Sequence, residues 1–405
     1  MTFGYVQLPD PEELEELLRA ATVSRVPAVR DSLAHALTGG KRLRAALVSV
    51  SAGFAAPDRS AVAKVSAAME LIHLASLIHD DLIDEAAFRR ARPSLYRLFG
   101  RVPAVLTGDY LFASAFNLII DLPKSILQIV TRTIRAMCEG EIAELGAKDF
   151  SLPGYFARVR KKTASLIVAS CRSGGILAGL KGEQLKGLEK YALNLGTAFQ
   201  IVDDLLDLAG RPELLGKPCL QDLTKGIPTL PVIHYLHTHA EGPAWKEKLA
   251  RGGLSGEEAR ELAGRLIAAG CVHYALEVIF WKIRLAVESL EPLPAGRARE
   301  DLGRIARGIL TPLANLNDPG PAQEAAETVE LLALGAGGPE EIAGRRQEVL
   351  GAYLRVGKIH GRQAPDDQPV EGGVGELFGP LEGLGEKDLQ ALPRLLRAGV
   401  IKGEV

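Results

Sequence analysis

The sequence has 405 residues, 47% of them hydrophobic and 24% charged, the composition of a globular chain with ample material for a large core. Its formal net charge of −2 excludes a general nucleic-acid binder held by a basic surface. Four cysteines (Cys138, Cys171, Cys219, Cys271) form no C-x-x-C pair and fit thiols in a reducing compartment better than a disulfide framework or a zinc site.

In chain order, the acidic, amphipathic PDPEELEELL near the start carries no secretory signal. Residues 11–37 read as one or two amphipathic helices stopping at Gly39-Gly40. Lys41-Arg42-Leu43-Arg44 then opens a helix running to about Ala56. Two glycines before a cation-rich helix start make an anion site, or else a basic first turn facing water. No uncharged apolar run reaches membrane-spanning length, because Lys64, Glu70 and His73 interrupt the stretch around residue 70. A cytoplasmic protein with no transmembrane segment and no nucleic-acid partner is expected.

The chain is organised around ELIHLASLIHDDLIDEAAFRR, residues 70–90. At helical period it puts His73, Ser76, Asp80 and Asp84 on one stripe and Leu71, Leu74, Ile78 and Leu82 on an apolar one. Asp80, Asp81 and Asp84 crowd carboxylates onto about one turn, where they repel unless a cation lies between them. Hard oxygen donors at this spacing suit Mg²⁺, which usually shares its shell with water and a substrate phosphate. Pro93 disfavours helix at Arg92, so Arg89 and Arg90 lie at the helix exit, in reach of remaining phosphate oxygens. Taken singly, D-D-x-x-D is more often a solvated acidic face.

From residue 60 to 320 the apolar segments keep helical periodicity, broken at prolines and glycines, which predicts roughly ten to twelve helices and an all-α fold. A second cluster lies in FQIVDDLLD, whose stripe is Gly196, Gln200, Asp203 and Asp207. IHDDLID and IVDDLLD share five of seven residues, and two facing carboxylate stripes would need several divalent ions and a polyanion to balance them. Between them stand Gly108-Asp109-Tyr110-Leu111 and Lys161-Lys162-Thr163. After them the loop LGKPCLQDLTKGIPTLP, with Lys217 and Lys225, suits a flap over phosphate. Each lysine alone reads as ordinary surface charge.

Together, GGKRLR, HDDLIDEAAFRR, GDYL, KKTA, FQIVDDLLD and GKP…DL…TLP, in that order over residues 15–315, resemble the trans-prenyl diphosphate synthase (polyprenyl synthetase) family. A class I terpene cyclase would show one aspartate motif and a different second metal site. The resemblance implies a bundle of long helices around a deep central cavity, with the aspartate motifs facing each other at its mouth. It implies a Mg²⁺-dependent prenyltransferase that adds isopentenyl diphosphate to an allylic diphosphate. It places metal on Asp80, Asp84 and Asp203, supported by Asp81, Asp204 and Asp207. It places the allylic diphosphate on Arg89, Lys162, Thr163, Gln200 and Lys217, and isopentenyl diphosphate on Lys41, Arg44, His73 and Arg90. A homodimer is implied; the rival is a subunit acting with a second polypeptide, against which stands the retention of all six aspartates. The chain departs from the family at Ala45, Ala91, Leu220 (a common Gly) and Ile227 (the usual Lys after Gly226).

Product length follows from the stripe below Asp80, which runs through Ser76 and His73 or Ile72 to Met69, about 16 Å. The family stops at short products when large aromatics stand four or five residues before the first aspartate. Here those positions are Ser76 and Ala75, so a hexaprenyl to decaprenyl product is expected; a floor of Phe112 or Phe116 would give geranylgeranyl instead. Residues 316–405 read as an appendage with the linker NDPGPAQ, helical periodicity over 322–358, a Pro/Gly/Asp-rich stretch at 361–385 and a last short helix at 386–398.

Overall fold

The computed structural model describes residues 11–89, 92–146, 149–215 and 218–316. The chain divides into two units, Met1–Ala325 and Ala326–Val405, and every described residue belongs to the first. The expectations for Arg90, Lys217 and the C-terminal appendage lie outside the described residues.

The described chain is helical, as its periodicity predicts. Helices α1 (Pro11–Ala21), α2 (Pro27–Leu37) and α3 (Leu43–Ala52) lead to α4 (Arg59–Ile83). A two-residue antiparallel hairpin, β1 (Phe88–Arg89) with β2 (Arg92–Pro93), is followed by α5 (Leu95–Phe99), α6 (Arg101–Ile119), α7 (Lys124–Leu145) and α8 (Leu152–Val159). The chain then makes a π-helical turn at Arg160–Ala164 before α9 (Ser165–Leu177) and the longest helix, α10 (Gly182–Ala209). The remainder is α11 (Pro212–Leu215), α12 (Gln221–Lys225), α13 (Leu230–Thr238), α14 (Gly242–Ala250), α15 (Gly256–Ala268), α16 (Cys271–Glu288), α17 (Arg297–Gly308) and a 3₁₀ turn at Thr311–Asn315.

Helix α4 is the centre of the first half. It packs on α3, α6 and α9, and every residue from Val65 to Ile72 is buried, so this stretch is enclosed on all sides. Its start is capped by Asp58, which accepts the Ser60 amide at 3.0 Å. Its end comes where the Asp84 amide closes on the Asp80 carbonyl and Glu85 turns left-handed at φ +53°. By length and hydropathy α4 and α6 both reach the range of a membrane-crossing helix, contrary to the expectation from the charged interruptions. In α4 two-thirds of the most apolar window is buried inside the protein. The Glu70 interruption is buried too: its carboxylate accepts the Ala45 amide at 3.1 Å and lies 3.8 Å from Arg42.

That contact corrects the reading of the GGKRLR segment. The helix starts at Leu43, after Arg42 in a left-handed conformation, and Glu70 already satisfies an amide of its first turn. Arg42 is consumed by structure, donating to Glu15 at 2.7 Å and to the Leu37 carbonyl at 3.0 Å.

Helix α10 is the axis of the second half, packed between α9 and α16. Helices α4 and α10 therefore share α9 as a common neighbour, and each carries an aspartate cluster at its C-terminal end. Past α10 the chain folds back: Asp207 accepts the amides of Gln221 and Asp222 at 3.1 and 3.0 Å, and its carbonyl accepts the Leu220 amide at 2.8 Å. This turn puts Leu220 at φ +63°, which explains the glycine usual there: a side chain in the left-handed region costs roughly 1–2 kcal/mol. Leu220→Gly gives back part of that as unfolded-state entropy, so we expect a net gain near 1 kcal/mol and a rise in Tm of roughly 2 °C. A lower Tm in the glycine variant would show that the Leu220 side chain contributes more by packing than its backbone costs.

Candidate active site

Both aspartate clusters lie within electrostatic reach of one guanidinium. Arg89, in the hairpin after α4, donates through Nε and Nη2 to Asp81 at 2.9 and 2.5 Å. Burial alone would lower its pKa, but Asp81, Asp80 and Asp203 outweigh that and hold it above the ordinary value. Asp80 and Asp203, far apart in sequence, are thus both within electrostatic reach of one side chain.

A second cation approaches from the π-turn. Lys162 Nζ lies 2.7 Å from Glu141 and 2.5 Å from Glu144, both on α7. Burial works against its charge, yet Glu144, Glu141 and Asp80 keep its pKa above that of an ordinary lysine. Asp80 shows the converse. Burial pushes its carboxyl up to about 7; Lys162 and Arg89 oppose the shift, while Glu141 and Asp84 add to it. A third cation comes from the loop after α10: Lys225 Nζ, at the end of α12, is 3.0 Å from Asp84 Oδ1.

Of the three aspartates on α10 only Asp203 is exposed. Asp204 accepts Tyr155 Oη at 2.6 Å and Gln200 Nε2 at 2.8 Å, and Thr163 donates to the other end of Gln200 at 2.5 Å. Asp207 is consumed by the turn described above. Asp81, Asp204 and Asp207 are therefore supports whose oxygens are already bonded within the chain. Asp203 is exposed, and Asp80 and Asp84 are half-buried. They are not a ready-made ligand set, however: among the described residues no three His, Cys, Asp or Glu side chains converge closely enough to hold an ion by themselves. Oxygen donors whose charges are now met by an ammonium and a guanidinium fit a hard cation that completes its shell from water and phosphate.

The isopentenyl diphosphate residues divide. Arg44 Nη1 lies 3.1 Å from His73 Nε2; a guanidinium only donates, so in this contact the ring nitrogen is the acceptor. Arg44 also stacks over Phe199 of α10, with 5.9 Å to the ring centroid. Lys41 is exposed before α3. Of the chain-length residues, Met69, Ile72 and Ala75 are fully buried and only Ser76 is partly open. Phe112 and Phe116 pack against the same core cluster.

Burial sets a pH dependence. Asp80 and Asp204 are both pushed up to about 7, first by desolvation. Between about pH 4 and 7 the folded chain binds protons that the unfolded chain has released. The stability these groups contribute is therefore fully present below pH 4 and lost as pH rises through 7. Metal-free protein is expected to melt at lower temperature at pH 8 than at pH 5.5, and Asp204→Asn should flatten the difference. An equal slope in that variant would remove Asp204 as its source.

The polyprenyl synthetase family model matches residues 26–264. Heptaprenyl diphosphate synthase component 2 of Bacillus subtilis is 33% identical over 308 residues, covering 74% of this chain and 87% of the relative. A short chain isoprenyl diphosphate synthase of Methanothermobacter thermautotrophicus is 37% identical over 289 residues, covering 68% and 88%. Among solved structures, polyprenyl synthase from Caulobacter crescentus CB15, complexed with calcium and isoprenyl diphosphate, superposes with a TM-score of 0.69 at 31% identity over 74% of this chain and 94% of that one.

The chain belongs to the polyprenyl synthetase family. It is a trans-prenyltransferase of isoprenoid biosynthesis. Within this polyprenyl synthetase the structure adds site residues that sequence reading passed over: Glu141, Glu144, Tyr155 and Arg158. Arg158 donates to the Pro228 carbonyl at 2.6 Å and pairs with Glu144 at 3.2 Å, tying the loop after α12 to the wall that holds Lys162. A faint signal existed. Arg158 and Lys162 are four apart and Glu141 and Glu144 three apart, each pair on one helical face with charge opposite to the other.

Proposed function

We propose that this polyprenyl synthetase is a Mg²⁺-dependent enzyme that condenses isopentenyl diphosphate with an allylic diphosphate to build a long all-trans polyprenyl diphosphate. The observation that carries the reading is the meeting of Asp80, Asp203, Arg89 and Lys162 around one space. Asp80, Asp84 and Asp203 would hold Mg²⁺, which stabilises negative charge developing on a departing diphosphate. Lys162 and Arg89 present positive charge to the same oxygens, held in place beforehand by Glu141, Glu144 and Asp81, so little reorganisation accompanies ionisation. Arg44, oriented by His73 and Phe199, offers a second anion site for isopentenyl diphosphate. Phe199 stands beside that guanidinium as an apolar wall.

Purified protein with Mg²⁺, an allylic diphosphate and labelled isopentenyl diphosphate should yield an extractable polyprenyl product. Product formed only after a second polypeptide is added would assign a two-component synthase, as the name of the Bacillus subtilis relative invites, in place of a self-sufficient homodimer. No product in either case defeats the reading.

The long-chain assignment rests on the α4 stripe, which carries no aromatic residue between Met69 and Asp80. Ser76 lies one turn below Asp80 on this stripe and is partly open, so Ser76→Phe is expected to shorten the product by several isoprene units while the first condensation survives. Ala75 is fully buried, and a phenylalanine there would cost roughly 1–3 kcal/mol by overpacking. Chain-length chromatography decides. A wild-type product of twenty carbons that lengthens in Phe112→Ala would move the floor to α6.

A further inference from the structure

We propose that Tyr155 is a positioning residue for the allylic diphosphate: its phenol, acting through Asp204, sets the polarity of the Gln200–Thr163 pair that receives that group. The proposal rests on the reading of Gln200 and Thr163 as diphosphate contacts.

Tyr155 stands on α8, Gln200 and Asp204 lie about one turn apart on α10, and Thr163 rides on the π-turn. Their side chains form one run of hydrogen bonds from the core to the site. Tyr155 Oη donates to Asp204 Oδ2 at 2.6 Å, and Gln200 Nε2 donates to Asp204 Oδ1 at 2.8 Å. Thr163 Oγ1 then donates to Gln200 Oε1 at 2.5 Å. The inner two members are buried and the outer two half-buried. The outer end lies beside the charged groups of the site: Lys162 precedes Thr163 and is held charged in part by Asp80, and the exposed Asp203 precedes Asp204.

The first bond of the run gives the others their direction. Gln200 and Asp204 are four apart on one helix and meet without help. A carboxylate can turn about its last bond, however, and a carboxamide can turn over and exchange its donor and acceptor ends. The phenol removes that freedom. Its ring is contacted by the Arg158 guanidinium, 5.6 Å from the centroid, and by Phe156 at 5.3 Å in an edge-on arrangement, so the hydroxyl is aimed at Asp204. With Tyr155 on one oxygen, Asp204 presents the other to Gln200. The amide must then turn its NH₂ inward and its carbonyl to Thr163. Gln200 keeps a second amide proton, which nothing among the described residues accepts, for the oxygen of an anionic ligand. A hydroxyl that merely satisfied a buried carboxylate would matter to stability alone. One that fixes this polarity matters to anion binding.

The test uses the full-length protein, inorganic pyrophosphate with Mg²⁺ as the probe, and calorimetry to read its Kd. Because a hydrogen bond to a charged group is lost, Tyr155→Phe should weaken pyrophosphate about tenfold and raise KM for the allylic diphosphate by a similar factor. KM for isopentenyl diphosphate should not move, nor should Mn²⁺ binding read by electron paramagnetic resonance without pyrophosphate. The control is Tyr191→Phe, also on α10, which removes a buried hydroxyl that donates to the Leu302 carbonyl at 2.7 Å. It should lower the Tm as Tyr155→Phe does and leave pyrophosphate binding at the wild-type value. In a Gln200→Leu background, adding Tyr155→Phe should cost nothing further, because the tyrosine acts through that amide. Wild-type pyrophosphate binding in Tyr155→Phe, an equal loss in Tyr191→Phe, or a full second loss in the Gln200→Leu background would each overturn the proposal. A protein that shows the expected pyrophosphate responses but makes no polyprenyl product sinks the prenyltransferase reading alone. An active synthase whose Tyr155→Phe variant binds pyrophosphate normally sinks the positioning role alone.

Discussion

Asp80→Asn and Asp203→Asn should each lower kcat by at least ~10³-fold, several kcal/mol in the barrier, while the protein still melts cooperatively. Both substitutions keep the shape of the side chain and remove its charge. The two positions differ in what that charge meets in the folded chain. Asp80 is half-buried, with its carboxyl pushed up to about 7 by desolvation, so neutralising it relieves a cost and is expected to raise the Tm of metal-free protein at pH 8. Asp203 is exposed, so its replacement should leave the Tm nearly unchanged. Activity and stability therefore move in opposite directions at Asp80, which a merely structural role would not produce. Near-normal turnover in either variant would remove that aspartate from the site. A control is available in Asp207→Asn. Its carboxylate holds two amides of the loop after α10, so loss there should appear first as a lower Tm.

Gly140→Ala is expected to cost ten- to a hundredfold in kcat/KM with a small change in Tm. Gly140 lies on α7 where the helix backs onto the π-turn. A Cβ there would stand 2.8 Å from the Lys162 amide nitrogen and 3.1 Å from its Cα, both backbone atoms that cannot rotate away. The opposite side of the turn is equally tight, since a Cβ on Gly196 of α10 would meet the Ala164 Cα at 2.7 Å. The π-turn is clamped between two glycines, and Lys162 and Thr163 ride on it. Alanine in a helix interior gains about 1 kcal/mol over glycine, and the forced shift costs roughly 1–3 kcal/mol, so the two nearly offset in stability. They do not offset in geometry: a displacement of about 1 Å in a positioning group costs on the order of 10²-fold in rate. Steady-state kinetics on the alanine variant decides it. Unchanged kcat/KM would mean that the turn yields without moving Lys162 relative to Asp80.

What the sequence determined by itself was local and periodic. Period-3.6 patterning made α4 and α10 helices and put their aspartates on single stripes, because side-chain direction along a helix is set by backbone geometry alone. Where α4 ends was not among these: Pro93 pointed to a stop at Arg92, but the helix ends at Ile83, where Glu85 turns left-handed, and Arg89 lies in the hairpin beyond it. The order of six motifs sufficed for the family. Tertiary structure decided which members of each cluster stay available. Nothing in D-D-x-x-D distinguishes Asp203 from Asp204, but the neighbourhood of Tyr155 and Gln200 buries one and leaves the other open. The same holds for charge. Glu70 read as an interruption of an apolar helix, yet it satisfies the Ala45 amide; Lys225 read as surface charge, yet it reaches Asp84 across the fold. Pairing, burial and the resulting pKa shifts depend on residues brought together from distant parts of the chain. No local pattern encodes those meetings, which is why the helices were legible in the sequence and the electrostatics of the site were not.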